Sequence, residues 1–498
     1  MGRPAGIRFG TAVLAPFIAS GCAQLAGIDI TEQVDEPELA SLTLSRISIG
    51  ATVTTRPLDL ANLSASYLIA NPDAPDGFDR ITATVDPMTP NKWVAEVGES
   101  TPPVMFTLPD YPEAVPRIWA LPNRELVGAL YVFEHPDPQP AIDPATLTVQ
   151  ATLPTPYAAT ESFQLLVVGT WVSRGFSGMM EVPAVGSTAF GPVPFAYTTT
   201  SPQTNRPYEG ITTADATLLL RYVGTRLTGV MEGPPFDQTG MDTVMGTMSA
   251  VAATETLSAT LNNMTVAARY MPLRPMMPAP TMSWSLVAAP GFASASLLGP
   301  RLNSDTVLAT DPSAISVPYG NPFASKGWPT AFMWSTSSSR MYTPPGAVGP
   351  ITLSAGVSQF ATPSPDMTLD LPAGLPELIT LDQQPLSMDG VAIDKPIKAL
   401  AASFIVPPTP ASTLFQLALY ELVPNSAGTA LEHKHILTMT SVEASFLIPP
   451  EFFQSGRSYT LRAQTIAGGY PALGSGDLTM RALPVAVGFM DSGVVLVN

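Results

Sequence analysis

The sequence predicts an all-β protein, a multi-domain β-sandwich, and three observations carry that prediction. Apolar and polar residues alternate with period 2 in many short segments, the mark of strands buried on one face. Leu42-Thr43-Leu44-Ser45-Arg46-Ile47-Ser48-Ile49 is the plainest of them. Proline supplies 54 of 498 residues, roughly twice its usual share, and it breaks helix interiors while suiting turns and strand ends. Clusters such as Asn71-Pro72-Asp73-Ala74-Pro75-Asp76-Gly77 punctuate the alternating segments as turns. The chain is too long for one ordinary core, so several domains are expected.

Arg3 and Arg8 precede an apolar run over 9–18, the order of a secretory signal, and the run is too short to span a bilayer. Residues 1–21 therefore read as a signal peptide. Residues 22–40, with Asp29, Glu32, Asp35, Glu36 and Glu38, read as a tether. Alternation at 42–49, 65–70, 80–85, 92–97, 104–108 and 126–133 predicts a β-sandwich domain over 41–135. Next comes a Pro-rich linker, 136–160, entered through His135-Pro136-Asp137-Pro138-Gln139-Pro140.

Strands expected at 163–173, 216–222, 225–231, 256–261, 265–270 and 282–288 make 161–370 a β-rich middle domain, sandwich or barrel, with a hairpin turning at Gly224-Thr225. Between 311 and 350 the chain reads as an aromatic loop region rich in Ser, Gly and Pro. Tryptophan and tyrosine carry much of the energy where proteins bind, so Trp328, Trp334 and Tyr342 are candidate ligand-binding residues. The competing expectation is that these rings cover one end of the middle core. Residues 371–498 form the last domain, with strands expected at 400–406, 414–422, 433–439 and 443–448.

Two stretches resemble known families. Pro449-Pro450-Glu451-Phe452-Phe453-Gln454-Ser455-Gly456-Arg457-Ser458-Tyr459 resembles the passage between the fifth and sixth strands of fibronectin type III and Ig-like modules. That resemblance implies a sandwich over the last domain and a tyrosine corner, in which the Tyr459 hydroxyl bonds back to the preceding connection. Ala19-Ser20-Gly21-Cys22 resembles the lipobox of bacterial lipoproteins, with Ala19 where that family usually has a larger aliphatic residue. It implies lipidation of Cys22 as the first mature residue and a membrane partner through the lipid. Ala23 follows, where in better-known sorting systems an aspartate favours the inner membrane, so the resemblance points to an outer membrane.

Composition narrows the chemistry. A net charge of −17 repels phosphate backbones, so no nucleic-acid partner is expected; a cell-wall or protein partner is. Cys22 is the only cysteine, which excludes an intrachain disulfide framework. No run reaches the length of a transmembrane helix. Nucleophile elbows, zinc-protease helices and phosphate-cradling glycine loops are absent, so no catalytic residue, metal site or cofactor is assigned. His433 and His435, two apart in one expected strand, share a face and could share a metal with no third ligand evident. Asn71, Asp73, Asp76 and Asp79 could hold calcium but read better as turn chemistry.

The expected role is binding or structural, with two rivals. A carboxylate-based glycan hydrolase would need paired acids in a groove lined by Trp328 and Trp334. A copper-handling protein would use the methionines at Met241, Met245 and Met248 or at Met271, Met276, Met277 and Met282.

Overall fold

In a computed structural model of the protein, the described residues are 38–108, 115–132, 146–168, 173–176, 181–196, 216–233, 241–261, 281–291, 299–307, 313–369, 376–386, 390–406, 413–479 and 482–498. Every regular element among them is a strand, apart from three short 3-10 turns. Residues 39–498 make one compact unit. The signal peptide, Cys22, most of the tether and the proline run after His135 lie outside the described residues.

The first strand, Leu39–Ile49, begins within the last two positions expected for the tether. It pairs with Val53–Pro57, with Thr89–Glu96 and, in parallel, with Glu125–Val132. Leu42, Leu44 and Trp93 of this sheet pack on Tyr67, Phe106 and Trp119 of the facing strands to form one sandwich core. Gly128 is needed there, because a Cβ on it would stand 2.2 Å from the Trp119 ring.

The linker expected over 136–160 instead contains a central strand, Thr146–Thr152, paired to Ala189–Ala196 on one side and Met241–Thr247 on the other. This three-stranded sheet faces the five-stranded sheet of Glu161–Val168 and Ala216–Val223 across a core of Val149, Phe163, Leu165, Phe190 and Leu219. Arg221 lies 2% exposed in that fold and satisfies its charge locally. Its guanidinium donates to both Glu161 carboxylate oxygens at 2.6 and 2.7 Å and to the carbonyls of Thr155 and Pro156 at 3.0 Å. A buried cation persists only when paired and hydrogen-bonded in this way, and here it ties the connection 153–160 to the sheet.

A third packing places Leu257 and Ile315 against Trp284, Phe332, Trp334 and Val357. Much of the expected aromatic loop is therefore sheet: Thr330–Tyr342 is a 13-residue strand flanked on both sides by partners. Its Ser and Thr content disguises it, since Thr336 and Ser338 take inward positions at 2% and 4% exposure. The fourth packing sets Ile379, Ala402, Phe404 and Phe446 against Leu417, Leu437 and Leu461.

Three of these packings share one 14-stranded sheet. Ile351–Ala361 pairs antiparallel with Val485–Asp491, and Leu431–Ser441 pairs parallel with Pro116–Ala120. The fold is all-β and multi-domain, with sandwiches joined edge to edge.

The corner implied by resemblance is present. The backbone N–H of Gln454 donates to Tyr459 Oη at 2.8 Å, and Tyr459 is 2% exposed at the start of Ser458–Gly468. Gly456 takes the positive φ of 77° that the turn requires. The hydroxyl accepts here, so Tyr459→Phe leaves the Gln454 N–H without this partner. The expected loss is about 1–2 kcal/mol of stability, read from chemical denaturation; an unchanged midpoint would contradict the contribution assigned to the corner.

Candidate functional site

Of the aromatic residues singled out from sequence, Trp328 and Trp334 are buried in the core and Tyr342 is half-buried. Trp334 is fully buried, packs with Trp284 and Phe332 in the largest core, and donates Nε1–H to Gln359 Oε1 at 2.9 Å. Trp328 is 3% exposed, stacks on Phe323 at 5.5 Å and donates Nε1–H to the Ala51 carbonyl at 2.8 Å. Tyr342 is half-buried against a small cluster of Ile351, Leu353, Leu422 and Val494. Large rings go to the core because that is where their burial is most favourable. None of the three lines the cleft described below. The deeply buried carboxylates are likewise committed, Glu161 to Arg221 and Asp491 to Arg462, in different sheets. Met248 and Met282 fill separate cores, and Met245 is exposed.

The acidic turn works as turn chemistry. Asn71 Oδ1 accepts from the Asp73 N–H at 2.9 Å, and Asn71 Nδ2 donates to Asp79 at 2.8 Å. Asp76 accepts from Arg80, which also reaches Glu451 at 2.6 Å, so this turn is bolted to the last sandwich.

His433 and His435 do leave one face of Leu431–Ser441, beside a bulge in its pairing with Thr413–Pro424. Tyr420 takes the place between them: His435 stacks on it at 5.0 Å and His433 meets it edge-on at 5.3 Å. The row continues through Arg462, whose Cζ lies 5.5 Å from the Tyr420 ring centre and 4.9 Å from that of Phe489. Asp491, fully buried, anchors Arg462 through Nε and Nη2 at 2.6 and 3.0 Å and accepts the Ser354 N–H at 2.8 Å. Among the described residues no group of three His, Cys, Asp or Glu side chains could hold a metal. The row braces the sheet where strands from two sandwiches meet.

An opening suited to a ligand lies elsewhere. A cleft of about 390 Å³ lies where the 14-stranded sheet passes from the first sandwich to the last. Leu68, Phe78, Ile118, Met439 and Phe446 form its floor, and Glu443 is its one charged lining residue. The parallel pairing sets Met439 opposite Ile118. Strands 65–70 and 104–107 turn Tyr67 and Phe106 into the first core and present Leu68 on the opposite face. The covering four-stranded sheet stops at Ser445–Ile448, whose Leu447 is 44% exposed. The size and the apolar lining with few polar groups are those of small-molecule sites. None of these residues stood out in sequence, because the floor is assembled from segments more than 300 positions apart.

No protein-family model matches the chain, and no curated protein matches it. Among solved structures, a streptococcal ancillary pilin aligns at 8% identity over 67% of this chain and 98% of its own, with a TM-score of 0.12. The four N-terminal Ig domains of Dscam1 isoform 1.9 align at 8% identity over 92% of this chain and 98% of their own, TM-score 0.12. A Salmonella alpha-2-macroglobulin reacted with methylamine aligns at 10% identity over 92% of this chain and 29% of its own, TM-score 0.13. Superposition at these scores carries no inference about this chain.

His433 supplies a testable consequence. Burial lowers its pKa below the ordinary 6.5; Asp491 opposes that shift and Arg462 adds to it. Its Nε2 is buried without a hydrogen-bond partner among the described residues. A base with a depressed folded pKa contributes stability fully above its unfolded pKa, and that contribution is lost as pH falls through the folded value. Denaturation midpoints should therefore fall between about pH 7 and pH 5 more steeply in the wild type than in His433→Phe. Parallel profiles would contradict a buried neutral imidazole.

Proposed function

We propose that the chain is an exported protein held at the cell envelope by lipid on Cys22, where its array of β-sandwiches serves a binding or structural role. One observation carries the reading: Arg3 and Arg8, then an apolar run, then Ala19-Ser20-Gly21 directly before the only cysteine of the chain. The charged and apolar segments suit export, and the small residues before a cysteine suit thioether lipidation and cleavage. An acidic connection between that cysteine and the first strand at Leu39 supports a tethered arrangement. The proposed partners are the membrane, through the lipid, and cell-wall material or another envelope protein. Ala23 rather than an acidic residue after Cys22 favours the outer membrane.

Each buried methylene of an acyl chain contributes about 0.8 kcal/mol, and two or more chains hold a protein at a membrane stably. Cells fed a labelled fatty acid should incorporate label into the wild-type chain, which sediments with membranes. Cys22→Ser should take up no label and accumulate unprocessed. Wild-type protein found unlabelled and free of membranes would overturn the anchor and the localisation together.

A further inference from the structure

We propose that the cleft between the first and last sandwiches binds a small apolar cation, an alkyl or aryl ammonium, with its apolar body on the Phe78–Met439–Phe446 floor and its charge at Glu443. The proposal rests on the binding role inferred above and adds the ligand class. It involves neither Cys22 nor the membrane, so failure of the anchor and failure of the ligand are read in separate experiments.

Three features select the class. The floor is apolar: Leu68, Phe78, Ile118, Met439 and Phe446 line the cleft, and each is at most 6% exposed, so the walls are held in place by the core behind them. A cleft of that size, walled by apolar side chains with few polar groups, suits an apolar body leaving water.

Charge is the second feature. No basic residue lines the cleft, and the Glu443 side chain is exposed at its mouth. Only the backbone of Glu443 is engaged, its N–H donating to Ser441 Oγ at 3.0 Å. Among the described residues its carboxylate has no hydrogen-bond or ion-pair partner. The acids nearby are spoken for: Asp76 and Glu451 both bond to Arg80, and Asp79 to Asn71. Glu443 is thus the carboxylate still available to a ligand.

The third feature is the field of the chain. At −17 it draws cations toward such a mouth and repels anionic amphiphiles of the same shape.

The test uses the mature chain, residues 22–498, made without residues 1–21 and carrying Cys22→Ser, so that neither leader nor lipid requires a detergent that competes for the cleft, with methionine methyl groups labelled for NMR. Octylammonium and octanoate, each below its micellar concentration, are the probes. Octylammonium should shift the Met439 methyl signal saturably, and octanoate should bind about fivefold more weakly, the upper end of what one solvent-exposed ion pair supplies. Glu443→Gln, an exposed substitution that leaves the fold alone, should bring the two affinities within about twofold of each other. A Met439 methyl unmoved by octylammonium, equal affinities in the parent chain, or a preference that Glu443→Gln does not reduce would each overturn the assignment.

Discussion

A β-sheet ends in rows of unpaired N–H and C=O groups, and a chain built of several sandwiches must dispose of many such edges. This protein pairs them with one another. The last sandwich continues through Val485–Asp491 into Ile351–Ala361 on one side and through Leu431–Ser441 into Pro116–Ala120 on the other. The connections between its parts are thus hydrogen-bond ladders as well as linkers. Asp491 reinforces one of those seams by receiving Arg462 from its own sandwich and the Ser354 N–H from the neighbour. With no cysteine among the described residues, packing, these ladders and a few buried ion pairs hold the unit together.

The same constraint produces the cleft. A strand shared between two sandwiches must offer apolar residues on both faces, as Ala65–Ala70 does with Tyr67 toward the first core and Leu68 toward the last. The four-stranded sheet that covers the second face is narrower than the sheet beneath it and ends at Ser445–Ile448. An apolar-lined cleft remains there, with Glu443 beside it. A ligand site of this kind needs no dedicated loop, because it arises from two sheets of unequal width.

Legibility followed local contrast. The strand expected at 65–70 coincides with Ala65–Ala70, and the one at 400–406 with Leu400–Ile405, because both are short apolar runs bounded by turn or proline residues. The corner at Tyr459 was readable because its proline, glycine and tyrosine sit within a dozen positions. Thr330–Tyr342 was not, since serine and threonine occupy inward and outward positions alike and erase the period-2 signal. Pro116–Ala120 was obscured by its leading proline, which sits at the first position of the strand, where no ladder donor is lost. Trp328 and Trp334 are chemically suited to either a core or a surface, and only the partners brought by distant strands decide between them. The cleft was beyond reach for the same reason, its two walls being joined by pairing that no local pattern encodes.

Amide hydrogen exchange along the two seams tests most directly whether the sandwiches share one continuous sheet. If they do, backbone amides that ladder Ile351–Ala361 to Val485–Asp491, and those between Arg117–Ala120 and Thr438–Ser441, exchange as slowly as amides between the interior strands Thr413–Pro424 and Ser458–Gly468. Seam amides exchanging as fast as those of the peripheral strand Val53–Pro57 would show that the sandwiches open from one another and would contradict the single sheet.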